Sequence, residues 1–271
     1  MKTKKTIPFV LALVLGLSLV GEGALAQTQN QPSNSTQPSE GLSSAQPKDI
    51  TTRAKLHTEL GSMYFQNGNL IVALEELTIA TSINPNYAPA YSTRGIVLYY
   101  VKEYASADKD FQKALSLDPK DPEINNNYGW FLCRTGKEKE SLQYFEKAIR
   151  NPLYQTPEIA YLNAGACYIQ LGDLENAEAY IRKNLMLSPD NPKGLLQLAK
   201  ILYAKGNYDG ARERVQAVVK QVDPDADALW LYVRIERRLG NTSSEKSLSA
   251  QLRRKFPDSP EYQAMLNGDF Q

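Results

Sequence analysis

Gly61, Gly95, Gly129 and Gly165 recur at intervals of 34, 34 and 36 residues, and Ala199 and Val233 carry the same register on by 34 and 34. A unit this short cannot bury an apolar face alone, so a chain built this way must stack unit on unit into a quasi-linear array. Within the third unit, Asn125, Tyr128, Gly129 and Leu132 are spaced by three and four, as are Ser141, Phe145 and Ala148, with Gly136 between the two groups. Spacings of three and four put each group on one face of a helix, and the glycine marks the turn that joins two helices. Gly129 lets the first helix approach the second, while Tyr128, Leu132 and Phe145 fill the space beside it. The second helices repeat the device with Ala73, Leu77 and Ala80, then Ala107, Phe111 and Ala114, then Ala177 and Ile181, and Val215 and Val218 continue the row. Pro85, Pro119, Pro189 and Pro257 fall near the end of their units, where a missing amide donor stops the second helix.

Counted from Pro122, the residues of the third unit stand at positions 4, 7, 8, 11, 20, 24 and 27, an arrangement that resembles a tetratricopeptide unit. The expected fold is therefore all-α, a right-handed superhelical solenoid of six tetratricopeptide helix-turn-helix repeats within residues 49–271. The repeats are placed at 54–87, 88–121, 122–157, 158–191, 192–225 and 226–259, followed by a short capping helix over Glu261 to Leu266. The run Asn151 to Pro157 makes the third unit two residues longer and is expected to shift the fourth unit slightly. In the sixth, Glu236, Glu245 and Ser249 occupy positions usually apolar or small, as suits a terminal unit facing water. Gly61, Gly95, Tyr128, Gly129 and Gly165 are the expected repeat-packing residues.

Ahead of the array, Lys2, Lys4 and Lys5 precede the apolar run Phe9 to Val20, and Ala24-Leu25-Ala26 follows. This order of charged, apolar and small residues reads as a secretory signal peptide over 1–26, with Gln27 as the mature start. The apolar run is about half of what a spanning helix needs. Residues 27–48 are Gln, Ser, Thr, Asn and Pro with almost nothing to bury, which predicts a flexible polar linker. The formal charge is +1, and cleavage after Ala26 removes three of the 31 basic residues and one of the 30 acidic ones. A chain so nearly neutral has no general attraction to nucleic acid or anionic lipid.

His57 is the sole histidine, and the sequence has no glycine-rich phosphate loop, zinc-ligand spacing or nucleophile elbow. Catalytic residues, metal and cofactor are expected to be none, and the chain reads as a binding protein rather than an enzyme. The carboxylates at Asp118, Asp121 and Asp190 fit helix caps.

Positions 2, 5, 9, 12 and 13 of each first helix are expected to line a concave groove. In the second unit these include Ile96, Tyr99 and Tyr100; in the third, Asn126, Trp130, Cys133 and Arg134; in the fourth, Ile159, Leu162 and Ile169; in the sixth, Trp230, Arg234, Arg237 and Arg238. The groove should be apolar in its middle and basic toward its C-terminal end. Such a stripe either packs neighbouring helices together or anchors a partner; the number of Tyr and Trp residues favours a peptide groove. Cys133 and Cys167 are the only thiols. They either pair or remain two small, buried, reduced residues.

The run Asn126-Asn127-Tyr128-Gly129-Trp130-Phe131-Leu132-Cys133, with Gly136 and Cys167 after it, resembles the type IV pilus biogenesis and stability proteins of Gram-negative bacteria over about residues 50–260. The resemblance implies a six-unit tetratricopeptide protein of the periplasm, associated with the outer membrane through a partner. Its role would be to assist assembly or placement of the pilus secretin, the pore through which the pilus emerges, by binding and not by catalysis. It also supports pairing of Cys133 with Cys167. Members of that family commonly end the signal with a lipid-modified cysteine, whereas this chain has Ala24-Leu25-Ala26, so no direct lipid anchor is expected. A general periplasmic adaptor recruiting cell-envelope enzymes is the alternative reading of the same groove.

Overall fold

A computed structural model of the protein describes residues 49–270; the expected signal peptide and polar linker lie outside the described residues. Thirteen helices and no strand occur among the described residues. They pair in sequence as α1 (Ile50–Gln66) with α2 (Leu70–Ile83), α3 (Ala88–Tyr100) with α4 (Tyr104–Leu117), and α5 (Pro122–Arg134) with α6 (Glu138–Ile149). Then come α7 (Pro157–Gln170) with α8 (Leu174–Leu187), α9 (Pro192–Ala204) with α10 (Tyr208–Gln221), and α11 (Ala226–Arg238) with α12 (Thr242–Lys255). A last short helix, α13 (Pro260–Asn267), follows the sixth pair. Each second helix packs on its own first helix and on the first helix of the next unit, and successive first helices also touch, which makes a solenoid.

Local chemistry sets the ends of each unit. In the third, Asp121 accepts the Ile124 amide at 2.8 Å and Pro122 opens α5 with the fixed φ and missing donor that suit a first turn. The helix ends where Gly136 turns to φ 82° and the Lys137 amide reaches back to the Leu132 carbonyl at 2.9 Å. The same left-handed position recurs at Gly68, Gly172, Gly206 and Gly240. In the second unit it is Lys102, at φ 67°, the one non-glycine residue with positive φ among the described residues. The hydrogen bonds from Lys102 and Glu103 to Tyr99 and Leu98 are those made by the glycine turns, so the motif is kept at a backbone cost of about 1 kcal/mol.

Gly61, Gly95, Gly129 and Gly165 sit where first and second helices nearly touch. A Cβ placed on Gly129 would stand 2.9 Å from Phe145 Cε1 and 3.2 Å from the Ser141 carbonyl oxygen; on Gly165 it would stand 2.6 Å from Ile181 Cδ1. Backbone cannot retreat as a side-chain tip can. Gly129→Leu is therefore expected to destabilise the array by about 2 kcal/mol through overpacking, read as a lower denaturant midpoint. A midpoint equal to wild type would mean that α5 and α6 are free to separate at this contact.

Position 7 shows how one site is filled by different chemistry. Tyr128 is buried and donates to Asp108 at 2.9 Å, and burial, then the carboxylate, push its phenol well above the ordinary range. One unit earlier the same position is Arg94, held bidentate by Asp110 at 2.6 and 2.9 Å with its third donor on Thr81 at 2.8 Å. His57 ties α1 to α2 through Glu76 at 2.6 Å. The extra residues of the third unit form a turn in which Asn151 donates to the Lys120 carbonyl at 2.9 Å and Tyr154 is buried beside Ala148 and Ala160.

The expectation for Glu236 is overturned: it does not face water but is 2% exposed. Its position carries Leu132, clustered with Ala107 and Phe111 of α4, in the third unit, and Leu202, clustered with Ala177 and Ile181 of α8, in the fifth. That position looks back at the preceding unit, which exists for a terminal repeat as for any other. Glu236 Oε1 has no hydrogen-bond partner among the described residues. Glu236→Leu is expected to stabilise the protein by about 1 to 3 kcal/mol, the desolvation cost of the unmatched polar group, measured by chemical denaturation. A lower stability would show that the carboxylate is held by something the leucine cannot replace.

Candidate functional site

The concave face is graded by position. All six residues at position 13, Gln66, Tyr100, Arg134, Gln170, Ala204 and Arg238, are exposed, and those at position 9, among them Ile96, Trp130 and Arg234, are half-buried. Position 5 differs from the expectation. Thr58, Ser92 and Asn126 are buried there, the last two at the seam between neighbouring first helices, and Trp230 is buried in the C-terminal cluster with Leu248 and Leu252. The seam is polar near its middle: Asn127 donates to Ser92 Oγ at 3.2 Å and Asn163 to Asn126 Oδ1 at 3.0 Å, so both amide donors find partners within the array. Trp230, 7% exposed, is no open wall of the groove, since the Phe270 ring lies 5.0 Å from its own.

Around the second and third units the groove carries a connected aromatic cluster. Tyr100 stacks on Trp130 at 6.0 Å with the ring planes 20° apart, and the Phe65 ring is 5.1 Å away from it. Tyr99 meets Trp130 edge-on at 4.7 Å and Tyr100 edge-on at 5.4 Å. The Arg134 Nε donates to the Tyr99 hydroxyl at 3.2 Å, which fixes that ring. Tyr99 and Trp130 also pack on the buried cluster of Phe111, Tyr128 and Phe131, so they are rooted in the core, while Tyr100 is 51% exposed. The arrangement is a rigid aromatic platform with one face open. A cavity of about 110 Å³ beside it is lined by Trp130, Arg134, Asn163, Ala166 and Gln170.

Farther along, Ile159 is exposed, while Leu162 and Ile169 are half-covered by the apolar cluster that includes Leu198 and Leu202. Beneath this stretch Cys133 of α5 and Cys167 of α7 meet across adjacent units with Cα atoms 5.9 Å apart and their sulfurs joined. Both are buried, and Ser141 Oγ lies 3.1 Å from the Cys167 sulfur.

The basic end is not a bare set of cations. Arg237 pairs with Glu245 at 2.9 Å and lies over the Phe270 ring; Arg238 donates to the Tyr203 hydroxyl at 3.4 Å and lies over Tyr208; Arg234 lies over both Tyr203 and Trp230. Lys200 is paired with Asp227 at 2.5 Å. Sequence periodicity located these residues on one face but missed what covers them, since α13 and the residues after it have no repeat to betray their position.

Paired helices in a 34-residue register, small residues at each crossing and an aromatic concave face define a tetratricopeptide scaffold. Residues 88–121, 110–143 and 168–232 match the tetratricopeptide repeat. Over 207 residues, 76% of this chain and 82% of the relative, the sequence is 30% identical to the type IV pilus assembly protein PilF of Pseudomonas aeruginosa. The fold is similar to the crystal structure of PilW, a widely conserved type IV pilus biogenesis factor, with TM-score 0.73 and 34% identity over 79% of this chain and 98% of that one. It is likewise similar to a structure of Pseudomonas aeruginosa PilF, with TM-score 0.72 and 28% identity over 81% and 99% of the two chains. The chain belongs to this family of tetratricopeptide proteins, that of PilF and PilW.

Proposed function

We propose that this protein is a scaffold of type IV pilus biogenesis in the cell envelope, where its concave groove holds an apolar segment of the secretin and assists the pore's assembly or its placement in the outer membrane. Family membership supports the process. The observation that carries the mode of action is the aromatic platform, in which a half-exposed Tyr100 stacks on a Trp130 rooted in the core. Rigid Tyr and Trp side chains lose little entropy on binding and supply large apolar contact, the properties of interface anchors. The work done is binding, with affinity set by these anchors.

The location that fits is the periplasm, reached by export with cleavage after Ala26 and without a lipid anchor, at the outer membrane through the partner. An oxidising compartment is where two joined cysteines persist, and no helix of the described residues is long and apolar enough to cross a membrane. The reading is tested by capturing the mature protein from envelope extract and identifying what co-purifies, followed by direct binding of purified secretin. Recovery of the secretin with saturable binding supports it. Recovery of cell-wall enzymes alone, with no secretin binding, would replace it by a general adaptor role. A mature terminus at Gln27 in the same sample fits export, whereas a start at Met1 or a lipid-modified terminus overturns that part.

A further inference from the structure

The segment after α13 bends into the groove. Gly268 adopts φ 78°, which ends the helix, and the Asp269 amide returns to the Ala264 carbonyl at 2.9 Å. Phe270 then lies on the concave face against three groove residues. Its ring is 5.0 Å from Trp230, the Arg237 guanidinium stands 3.9 Å from its centre, and its carbonyl oxygen accepts from the Tyr203 hydroxyl at 3.3 Å. These contacts combine an aromatic wall, a cation over the ring face and a donor to the main chain, the three elements by which a groove holds an aromatic residue of a peptide. Apart from the Tyr203 bond, the main-chain hold on this end is local. The Asp269 and Phe270 amides bond to the Ala264 and Gly268 carbonyls, both close in sequence, and Phe270 itself remains partly exposed.

We propose that Phe270 is a built-in occupant of the basic end of the groove, and that this end takes from a partner an extended segment bearing an aromatic residue, in exchange for Phe270. The inference rests on the concave face being the binding face. The aromatic preference follows from the Trp230 and Arg237 contacts with the Phe270 ring. A self-occupied site reduces apparent affinity by the fraction of molecules in which it is open.

The test uses the mature chain, its Phe270→Ala variant and an amidated peptide with the sequence of residues 266–270, followed through the Trp230 indole N–H resonance. Phe270→Ala with an unchanged far-UV spectrum and melting profile should bind the peptide saturably, and the wild-type chain about 30-fold more weakly, the factor by which a typical aromatic anchor holds its site. A peptide with alanine in place of the phenylalanine should not shift the resonance. No shift with the folded variant, or equal binding by variant and wild type, would reduce the segment to a structural cap and overturn the proposal. Should Phe270→Ala not fold, Phe270→Leu serves in its place, since it keeps the apolar contact and removes the ring; wild-type-like peptide binding by that variant would equally overturn the proposal. None of these readouts involves the secretin, so failure here leaves the aromatic platform around Tyr100 standing. Failure of secretin binding leaves this result standing in turn.

Discussion

Replacing Cys133 and Cys167 together by alanine is expected to lower the stability of the array by about 3 to 4 kcal/mol, the chain entropy released when a loop of 34 residues is no longer closed in the unfolded state. Alanine is the informative choice, because a serine hydroxyl at these buried sites would add an unmatched polar group to the effect being measured. The bond joins α5 to α7, first helices of adjacent units, and so ties one repeat to the next rather than closing a unit on itself. In a solenoid each repeat is supported mainly by its neighbours, so weakening one junction lets the two halves unfold apart. Hydrogen exchange should accordingly rise first in α5 to α8 and least in α1 and α2. Adding a reductant to the wild-type protein should reproduce most of the loss. Two free thiols titrating in the unreduced, unfolded protein, or a variant as stable as wild type, would show that the two cysteines act only as small packing residues.

How much of this was legible in the sequence follows from what repeats. The register of Gly61, Gly95, Gly129 and Gly165 specified helix pairs and their crossings, because a helix contact that recurs every unit leaves the same small residue each time. Features that break the period were hidden. Lys102 takes a left-handed turn position that glycine fills in the other five units, since the hydrogen bonds of the turn offset a modest backbone cost. Glu236 is buried because its contact is with the unit before it, which no end effect removes. The groove was legible as a face but not in depth. Positions 5, 9, 12 and 13 point the same general way, and only the packing around them decides that Asn126 enters the seam between first helices and that Trp230 is covered by the C-terminal cluster, while Tyr100 stays open. Phe270 lies beyond the last repeat, where no periodicity assigns a face.

The largest effect on binding should come from Tyr100→Ala combined with Trp130→Ala, which removes the open face of the aromatic platform. Truncating an interface Tyr or Trp commonly costs 2 kcal/mol or more, about a 30-fold loss of affinity. The rings stack at 6.0 Å, so their contributions are coupled and the double change should cost less than the product of two such factors, a loss of roughly 100-fold. The two substitutions differ in what else they disturb. Tyr100 is half-exposed, and its loss should leave the melting temperature nearly unchanged, whereas Trp130 packs on Phe131 and Leu132 and on the Cys133–Cys167 contact, so its loss costs stability as well. Tyr100→Ala alone is therefore the clean test of the groove, and the double variant measures its full contribution in a protein whose folding is verified separately. Arg237→Ala should act more mildly and mainly through a salt-sensitive association rate, as expected of a rim charge already paired with Glu245. Secretin binding at wild-type affinity by the folded double variant, together with normal pilus assembly in cells carrying it, would move the partner site off the concave face altogether.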